Sequence, residues 1–194
     1  MKENTLCSMI EKSSRIFPDN IAIIYKDHVL TYSELAGKIN SLAWRLKNLG
    51  IGKGDKVAVM LPNIPEFVIS YFAILKTGAA AVTLNTASTP HELHYLLDNS
   101  DSRAAITTSA AARRFDDIRG ELPLFDTLIV CGDEGDLSLE KILQEPAHEV
   151  ETPPLAKDDP AVIVYTAGLT GKPLGAVLTH RNLYTQSFLV KNHV

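Results

Sequence analysis

VAVMLPNIPEFVISYFAILKTGAAAVTL, residues 57–84, has the clearest strand–helix–strand pattern in the chain. Val57–Leu61 is a continuous apolar run, not an alternating one, which is typical of a strand covered on both faces in a parallel sheet. Proline at the first turn predicts a helix that begins at Pro65 and continues to Lys76 with almost no polar face. Ala79–Leu84 has the composition of the next strand. These residues predict a buried parallel sheet with helices packed on it.

Two β-rich runs and a helix precede this unit. Ile21–Tyr25 and His28–Tyr32 are separated by two residues, which predicts a hairpin with a two-residue turn. Ser33 or Thr31 could then cap a helix that Gly50 stops. The helix is predicted from apolar residues recurring at intervals of three and four, namely Leu35, Ile39, Leu42, Leu46 and Leu49.

Strand and helix patterns continue to alternate after residue 84. They predict helices at Pro90–Leu97 and Ser109–Ile118 and strands at Arg103–Thr107, Thr127–Cys131 and Ala161–Tyr165. Alternation at this spacing indicates an α/β fold with a doubly wound, mixed or parallel sheet and flanking helices.

The chain is expected to divide into three parts. Residues 1–143 form the α/β unit, and residues 144–160, with four prolines and many charges, form a surface linker. Residues 161–194 form a strand pair around a glycine-rich loop and the start of a helix. This helix begins near His180 and reaches Val194 without a cap or stop signal, so we expect a truncated chain.

Composition, charge and cysteine content argue against several classes of function. The 194 residues carry a net charge of −4 with both signs mixed along the chain, which argues against a nucleic-acid partner. The sequence has neither a signal-peptide h-region nor an apolar run long enough to span a membrane, so we expect a cytoplasmic protein without a transmembrane segment. Cys7 and Cys131 are far apart and lack CxxC or His companions, so we predict buried or incidental thiols and no metal site.

Residues 161–183, AVIVYTAGLTGKPLGAVLTHRNL, place a loop rich in glycine and threonine between two apolar strands. Glycines let backbone N–H groups converge on an anion, and threonine hydroxyls add donors, so the composition suits phosphate binding. The two common nucleotide-binding patterns, GxxxxGK followed by S or T, and GxGxxG, do not fit this loop. The spacing alone leaves a phosphate cradle and an ordinary tight turn as alternatives.

The same residues resemble the adenylate-forming enzymes, a superfamily that includes acyl-CoA ligases, luciferases and peptide-synthetase adenylation domains. Its signature, approximately Y/F-TSGTTGxPKGVxLTHxNL, aligns without a gap to YTAGLTGKPLGAVLTHRNL. Residues 30–35, LTYSEL, resemble its LTYxEL, and residues 75–84, LKTGAAAVTL, resemble its LKxGAxxVPL. Within the superfamily, residues 61–67 and 89–93 look most like acyl-CoA ligases of the long-chain fatty acid type.

The resemblance implies that backbone and hydroxyl groups of the loop hold the phosphates of ATP. Three positions depart from the signature, because Ala167 replaces a serine, Leu169 a threonine and Leu174 a lysine. Two hydroxyl donors and one cation are therefore missing, and Lys172 is the nearby charge that could compensate. The candidate ligand-binding residues are Thr166, Gly168, Thr170, Gly171, Lys172 and Gly175.

The activity implied by the resemblance is the AMP-forming ligation of a carboxylic acid to coenzyme A, with ATP and Mg²⁺. In the family, further residues supply the adenine pocket, the acid pocket, the magnesium-binding carboxylate and a lysine on a C-terminal domain. None of these motifs occurs before Val194, so the resemblance implies that this chain lacks the C-terminal domain, contains no catalytic residue and is inactive by itself. The altered loop leaves a second reading open, a degenerate, non-catalytic homologue that acts as a binding or regulatory module.

Two further expectations concern the end of the chain. His180 and Asn182 match the family's THxN and are expected to cap or orient the following helix rather than to act in catalysis. A truncated helix and missing sheet partners would expose apolar surface, so homo-oligomers are expected to be possible, as is peripheral association with a membrane.

Overall fold

The computed structural model describes residues 5–132, 135–166 and 172–193, with the side chains of 191–193 excepted. The helices are α1 (Leu6–Ile16), α2 (Tyr32–Asn48), α3 (Pro65–Thr77), α4 (Pro90–Ser100), α5 (Ser109–Asp116), α6 (Leu139–Gln144) and α7 (His180–His193), with a 3₁₀ turn at Arg119–Glu121. The strands are β1 (Ile21–Tyr25), β2 (His28–Thr31), β3 (Lys56–Met60), β4 (Ala80–Thr83), β5 (Ser102–Thr108), β6 (Thr127–Cys131), β7 (Leu137–Ser138), β8 (Pro160–Thr166) and β9 (Leu174–Thr179).

Seven strands form one sheet in the order β7-β6-β5-β3-β4-β8-β9, and β1 and β2 form a separate antiparallel hairpin. Every pair in the large sheet is parallel except β8 with β9. The predicted α/β class with a mixed, mainly parallel sheet is confirmed. Because β8 pairs with β4, the last predicted part of the chain joins the same sheet as the first.

Helices cover both faces of this sheet. One core contains the buried sides of α2, α3 and α6, and the other contains those of α4 and α5. Alternate residues of the strands supply the two cores: Val57 and Val59 belong to the first, whereas Ala58 and Met60 belong to the second. The unbroken apolar run in β3 is thus explained by burial on both faces.

Helix ends follow local signals. Thr31 caps α2 through a capping box with Glu34, and Thr89 caps α4 in the same way with Glu92. Of the two N-cap candidates for α2, the structure uses Thr31. Three predicted helix ends differ from the structure, because α3 ends at Thr77, α4 continues to Ser100 and α5 stops at Asp116.

Two helices were not predicted. In α1 only Leu6 and Cys7 are buried, and they pack against Leu75 and Ala161 from distant parts of the chain. The short β7 and α6 were likewise missed, since two strand residues carry almost no periodic signal.

The predicted linker is not purely a surface connection. Val150 is 6% exposed and belongs to the first core, and Pro160 is already the first residue of β8. A single apolar residue among prolines and charged residues gives no periodic signal. The sequence therefore predicted only a surface linker for this segment. No helix within the described ranges is long and apolar enough to cross a membrane.

Candidate functional site

The glycine-rich loop begins at the carboxyl edge of the parallel sheet. Thr166, the last residue of β8, lies at the same edge as Thr83, the last residue of the neighbouring β4. Carboxyl edges are where open α/β sheets bind ligands. The fold therefore places the predicted phosphate loop at the edge where a ligand site is expected.

The hairpin of β8 and β9 fixes the two ends of this loop. Its register pairs Thr166 with Leu174 and Tyr165 with Gly175. Thr166, Lys172 and Gly175 are described by the structure. The other predicted ligand-binding residues, Gly168, Thr170 and Gly171, lie outside the described residues. Ala167 and Leu169, two of the positions that differ from the signature, also lie outside them.

Thr166 and Leu174 close the described part of the hairpin. The Thr166 hydroxyl donates a long hydrogen bond of 3.5 Å to the carbonyl oxygen of Leu174, and Thr166 itself is exposed. The Leu174 side chain is 61% exposed. Position 174 thus exposes an apolar side chain to solvent, whereas the adenylate-forming signature has lysine there.

Gly175 lies within β9, where its lack of a side chain permits close packing. A Cβ atom at this position would lie 3.1 Å from Cγ2 of Ile163 and 3.2 Å from Cε1 of Tyr165. The Tyr165 ring therefore occupies space that any larger residue at position 175 would need. This contact gives Gly175 a packing role that the loop composition did not predict.

Helix α4 holds both strands next to the loop. The Tyr165 hydroxyl donates to Oδ1 of Asn99 at 2.8 Å, and the Tyr95 hydroxyl donates to the carbonyl oxygen of Pro173 at 3.1 Å. Partial burial raises the pKa of the Tyr165 phenol, so it remains a donor at neutral pH. One helix thus anchors the residue before Thr166 and the residue before Leu174.

Lys172 contacts the same helix. Its ammonium nitrogen lies 5.9 Å from the centroid of the Tyr95 ring, a distance within the range of a cation–π interaction. The cation that could compensate for the missing lysine is therefore held beside α4.

Comparison with known proteins agrees with this geometry. The sequence model of the AMP-binding enzyme family matches residues 10–193. The chain belongs to the AMP-binding enzyme family. Its strand pair β8–β9 with the intervening loop is therefore the part of an AMP-binding enzyme that carries the adenylate-forming signature.

Three relatives of this AMP-binding enzyme illustrate the match. The medium/long-chain-fatty-acid–CoA/3-oxocholest-4-en-26-oate–CoA ligase of Mycobacterium marinum is 31% identical over 194 residues, covering 94% of this chain and 35% of that enzyme. The crystal structure of the anthranilate CoA ligase AuaEII with anthranoyl-AMP has a TM-score of 0.85 at 27% identity, covering 91% of this chain and 35% of that one. The inhibitor-bound N-terminal domain of FACL13 from Mycobacterium tuberculosis has a TM-score of 0.82 at 31% identity, covering 91% and 44%. The chain thus spans 35% of the first two proteins and 44% of the FACL13 N-terminal domain.

The first turn of α7 is organised by residues that follow the loop. Asn182 Oδ1 accepts hydrogen bonds of 2.9 Å from both the backbone N–H and the hydroxyl of Thr179, whose hydroxyl in turn accepts from the Asn182 N–H. His180 is 1% exposed, and burial lowers the pKa of its imidazole despite the nearby Asp159 carboxylate. Asn182 therefore has the capping role expected from the sequence, whereas the His180 side chain is a buried packing residue.

The start of β8 is tied to the loop before β3. Lys53 pairs with the Asp159 carboxylate at 2.7 Å, and this contact keeps the pKa of Asp159 below its usual value. The Asp159 carboxylate also accepts from the Ala156 N–H at 2.8 Å. The hairpin of this AMP-binding enzyme is thus anchored at its base as well as beside its loop.

The cysteines are buried or partly buried thiols, and the two larger clefts do not include the described site residues. Burial raises the pKa of both Cys7 and Cys131 to about 12, so both are thiols at neutral pH and poor nucleophiles. Two adjoining clefts of about 680 and 660 Å³ lie beside α1 and the segment 149–156. Thr166, Lys172 and Gly175 line neither of them.

Sequence reasoning missed Tyr95 and Asn99 as residues that support the site. Both lie on α4, and they contact residues 78 and 66 positions further along the chain. Their spacing of four residues places both on one face of α4, which is the only signal in the sequence that links them.

Proposed function

We propose that this chain is the phosphate-binding part of an ATP-dependent ligase that joins a carboxylic acid of the fatty acid type to coenzyme A. The carboxylate attacks the α-phosphate of ATP to give an acyl-adenylate and pyrophosphate, and the coenzyme A thiolate then displaces AMP. The observation that carries the proposal is the position of the loop, between two anchored strands at the carboxyl edge of the sheet.

The role of the chain in this reaction is to position ATP. Donors held in place before the reaction stabilise charge on phosphoryl oxygens without reorganising. The anchors from Tyr165 to Asn99 and from Tyr95 to Pro173 hold the loop ends, and the exposed Thr166 hydroxyl lies at the loop's first residue. Thr166, Gly168, Thr170, Gly171, Lys172 and Gly175 remain the proposed phosphate-binding residues.

The partners of the whole protein belong to the same proposal. Mg²⁺ would neutralise phosphate charge, but the described residues contain no group of three His, Cys, Asp or Glu side chains that could hold a metal, and we assign it to no residue of this chain. ATP, coenzyme A and the acid are the proposed substrates. We place the enzyme in the cytoplasm, where it could associate with a membrane surface that supplies the acid.

The chain alone is proposed to be inactive, because it spans 35% of the ligase from Mycobacterium marinum. The test is acid-dependent release of pyrophosphate from ATP, measured with a panel of fatty acids for the 194-residue chain and for the complete protein of which it is a part. We expect turnover by the complete protein and none by the isolated chain. Turnover by the isolated chain would refute the assignment of catalytic residues elsewhere, and a complete protein that ignores ATP would refute the ligase function.

One observation favours a second candidate, a non-catalytic module. Leu174 is 61% exposed where the signature has lysine, and Ala167 and Leu169 remove two hydroxyl donors. Thermal unfolding with and without ATP–Mg separates the candidates, because a ligand that binds the native state raises its melting temperature. A clear rise supports a working phosphate loop, whereas an unchanged melting temperature of the complete protein supports the module.

A further inference from the structure

Lys172 is the one charged residue between Pro160 and His180. The segments that follow the two neighbouring parallel strands are uncharged as well, with LPNIP at residues 61–65 after β3 and LNTASTP at residues 84–90 after β4. All three segments leave the carboxyl edge of the sheet beside one another. Within them, only the Lys172 side chain can bring a positive charge to a phosphate.

Arg114 of α5 approaches the same edge of the sheet but has other partners. Its Nη1 atom donates to the carbonyl oxygens of Thr86 and Ser88, at 3.0 and 2.6 Å. Both residues lie in the segment after β4. The Arg114 guanidinium therefore supports the chain next to the loop, which leaves Lys172 as the candidate cation for phosphate.

The Tyr95 side chain contacts Lys172 and Pro173 through two different groups. Its ring centroid lies 5.9 Å from the Lys172 ammonium nitrogen, and its hydroxyl donates to the Pro173 carbonyl oxygen at 3.1 Å. Pro173 also disfavours helical backbone at the residue before it, which further restricts Lys172. The lysine is thus restrained at its ammonium by the ring and at its backbone by the neighbouring proline.

We propose that Lys172 binds the phosphates of ATP in place of the lysine that the signature has at position 174, and that Tyr95 is its positioning residue. This inference rests on the proposed function. The ring keeps the ammonium beside the loop before ATP arrives, so the lysine side chain loses less freedom when phosphate binds. Tyr95 itself does not contact the nucleotide in this account.

The ring contact and a phosphate contact are compatible. An ammonium group has three donors, and those that do not face the ring can reach phosphate oxygens. A cation–π contact at an exposed site is weaker than a charge-assisted hydrogen bond to phosphate. The Tyr95 ring therefore restrains Lys172 without withholding it from ATP.

Titration calorimetry of the complete protein with ATP–Mg tests both roles. Lys172→Met keeps most of the stem but removes the charge, and it should weaken ATP binding at least about tenfold, the usual contribution of one charge-assisted bond. Tyr95→Phe and Tyr95→Leu both lack the hydroxyl, but only the first retains a ring. With Lys172 present, Tyr95→Leu should bind ATP about two- to fivefold more weakly than Tyr95→Phe, the fold-change expected from an exposed cation–π contact.

The same pair of Tyr95 variants is then compared in the Lys172→Met background. There the two should bind ATP equally, because no ammonium remains for the ring to position. A ring that acted only through packing would keep the difference between the two variants in both backgrounds. The comparison thus separates positioning of Lys172 from a general effect on the fold.

The turn of the separate β1–β2 hairpin supplies matched controls. The Lys26 ammonium lies 5.3 Å from the centroid of the Tyr25 ring, so the same kind of contact occurs away from the loop. Lys26→Met and Tyr25→Leu should leave ATP affinity unchanged. Equal losses from these controls would overturn the proposal, since the effect would then not be specific to the loop.

Three other results would overturn the proposal while leaving the ligase function intact. They are unchanged ATP affinity in Lys172→Met, a difference between the Tyr95 variants that is absent with Lys172 or persists without it, and tighter binding by Tyr95→Leu. The last result would mean that the ring holds the lysine away from phosphate. A complete wild-type protein that does not bind ATP would instead refute the proposed function, and this inference with it.

Discussion

The Tyr95 hydroxyl donates a hydrogen bond of 3.1 Å to the carbonyl oxygen of Pro173 and so ties helix α4 to the chain just before β9. The residues are 78 positions apart in sequence. Together with the bond from Tyr165 to Asn99, it means that α4 supports both sides of the proposed phosphate loop. The geometry of the loop should therefore depend on a helix that itself contributes no ligand.

Tyr95→Phe should lower the free energy of unfolding by about 0.5–1.5 kcal/mol, the usual net contribution of one hydrogen bond. Urea denaturation followed by circular dichroism measures the change. Tyr25→Phe is the control, because no hydrogen bond from the Tyr25 hydroxyl is found within the described part of the chain, and it should be nearly neutral. Equal effects of the two substitutions would mean that the bond to Pro173 contributes nothing.

Gly175→Ala should destabilise the protein by about 1 kcal/mol, the low end of the usual cost of adding a methyl group against close neighbours, because the site is otherwise exposed. The added Cβ would lie 3.1 Å from Ile163 and 3.2 Å from the Tyr165 ring. Gly120→Ala is the matched change at a site with no atom within 4 Å, where we expect little effect. If thermal melts place both variants at the wild-type temperature, the packing role of Gly175 is wrong.

Leu174→Lys should strengthen ATP binding by the complete protein. It restores the cation of the signature at a position that is 61% exposed, so it should cost little stability. A charge-assisted hydrogen bond contributes about 1.5–3 kcal/mol, which corresponds to a gain of about tenfold or more in affinity. Titration calorimetry with ATP–Mg measures the affinity of the wild-type and variant proteins.

Leu124→Lys is the matched control, because it adds the same charge at another exposed leucine. Leu124 is 51% exposed and lies in the loop before β6. It should leave ATP affinity unchanged. Equal gains from both substitutions would show a general effect of net charge, and no gain from Leu174→Lys would show that the loop does not bind phosphate at this position.

His180 should make stability depend on pH in the window just below the ordinary histidine pKa of 6.5. Burial lowers the pKa of the folded imidazole below its ordinary value of 6.5. As pH falls through 6.5, the imidazole binds a proton in the unfolded state but not in the folded state, where its pKa is lower. The free energy of unfolding therefore decreases. The slope from one such group is at most about 1.4 kcal/mol per pH unit.

His180→Gln should remove the contribution of His180 to the slope of the unfolding free energy against pH, even if the substitution lowers stability at every pH. Urea midpoints at several pH values measure it, and carboxylates titrate mostly below this window. An unchanged slope in the variant would show that other groups cause the dependence.

Local patterns predicted much of the fold. The apolar run of β3 and the proline that starts α3 are each set by neighbouring residues, so the sequence indicated them. For α2 the sequence left Ser33 and Thr31 as alternative N-caps, and the structure uses Thr31. Helix α1 was missed because its buried residues Leu6 and Cys7 find their partners in α3 and β8, which no local pattern reveals.

The candidate site was predictable in composition but not in geometry. The signature located the loop between two strands, and the structure places those strands as an antiparallel pair at the sheet edge. The support from Tyr95 and Asn99, the contact of Lys172 with the Tyr95 ring and the close packing at Gly175 all depend on tertiary contacts. The phosphate-binding roles of all six candidate residues stay predictions from the signature, namely those of Thr166, Gly168, Thr170, Gly171, Lys172 and Gly175.

The most direct test of the proposed function identifies the nucleotide product. The complete protein is incubated with ATP, Mg²⁺ and a fatty acid, and phosphorus NMR follows the nucleotides before and after coenzyme A is added. Without coenzyme A we predict pyrophosphate and acyl-adenylate, formed only when the acid is present. Once coenzyme A is supplied, we predict AMP and pyrophosphate in equal amounts together with the acyl-CoA thioester. Formation of ADP and inorganic phosphate, or no consumption of ATP with any acid, would contradict an adenylate-forming ligase.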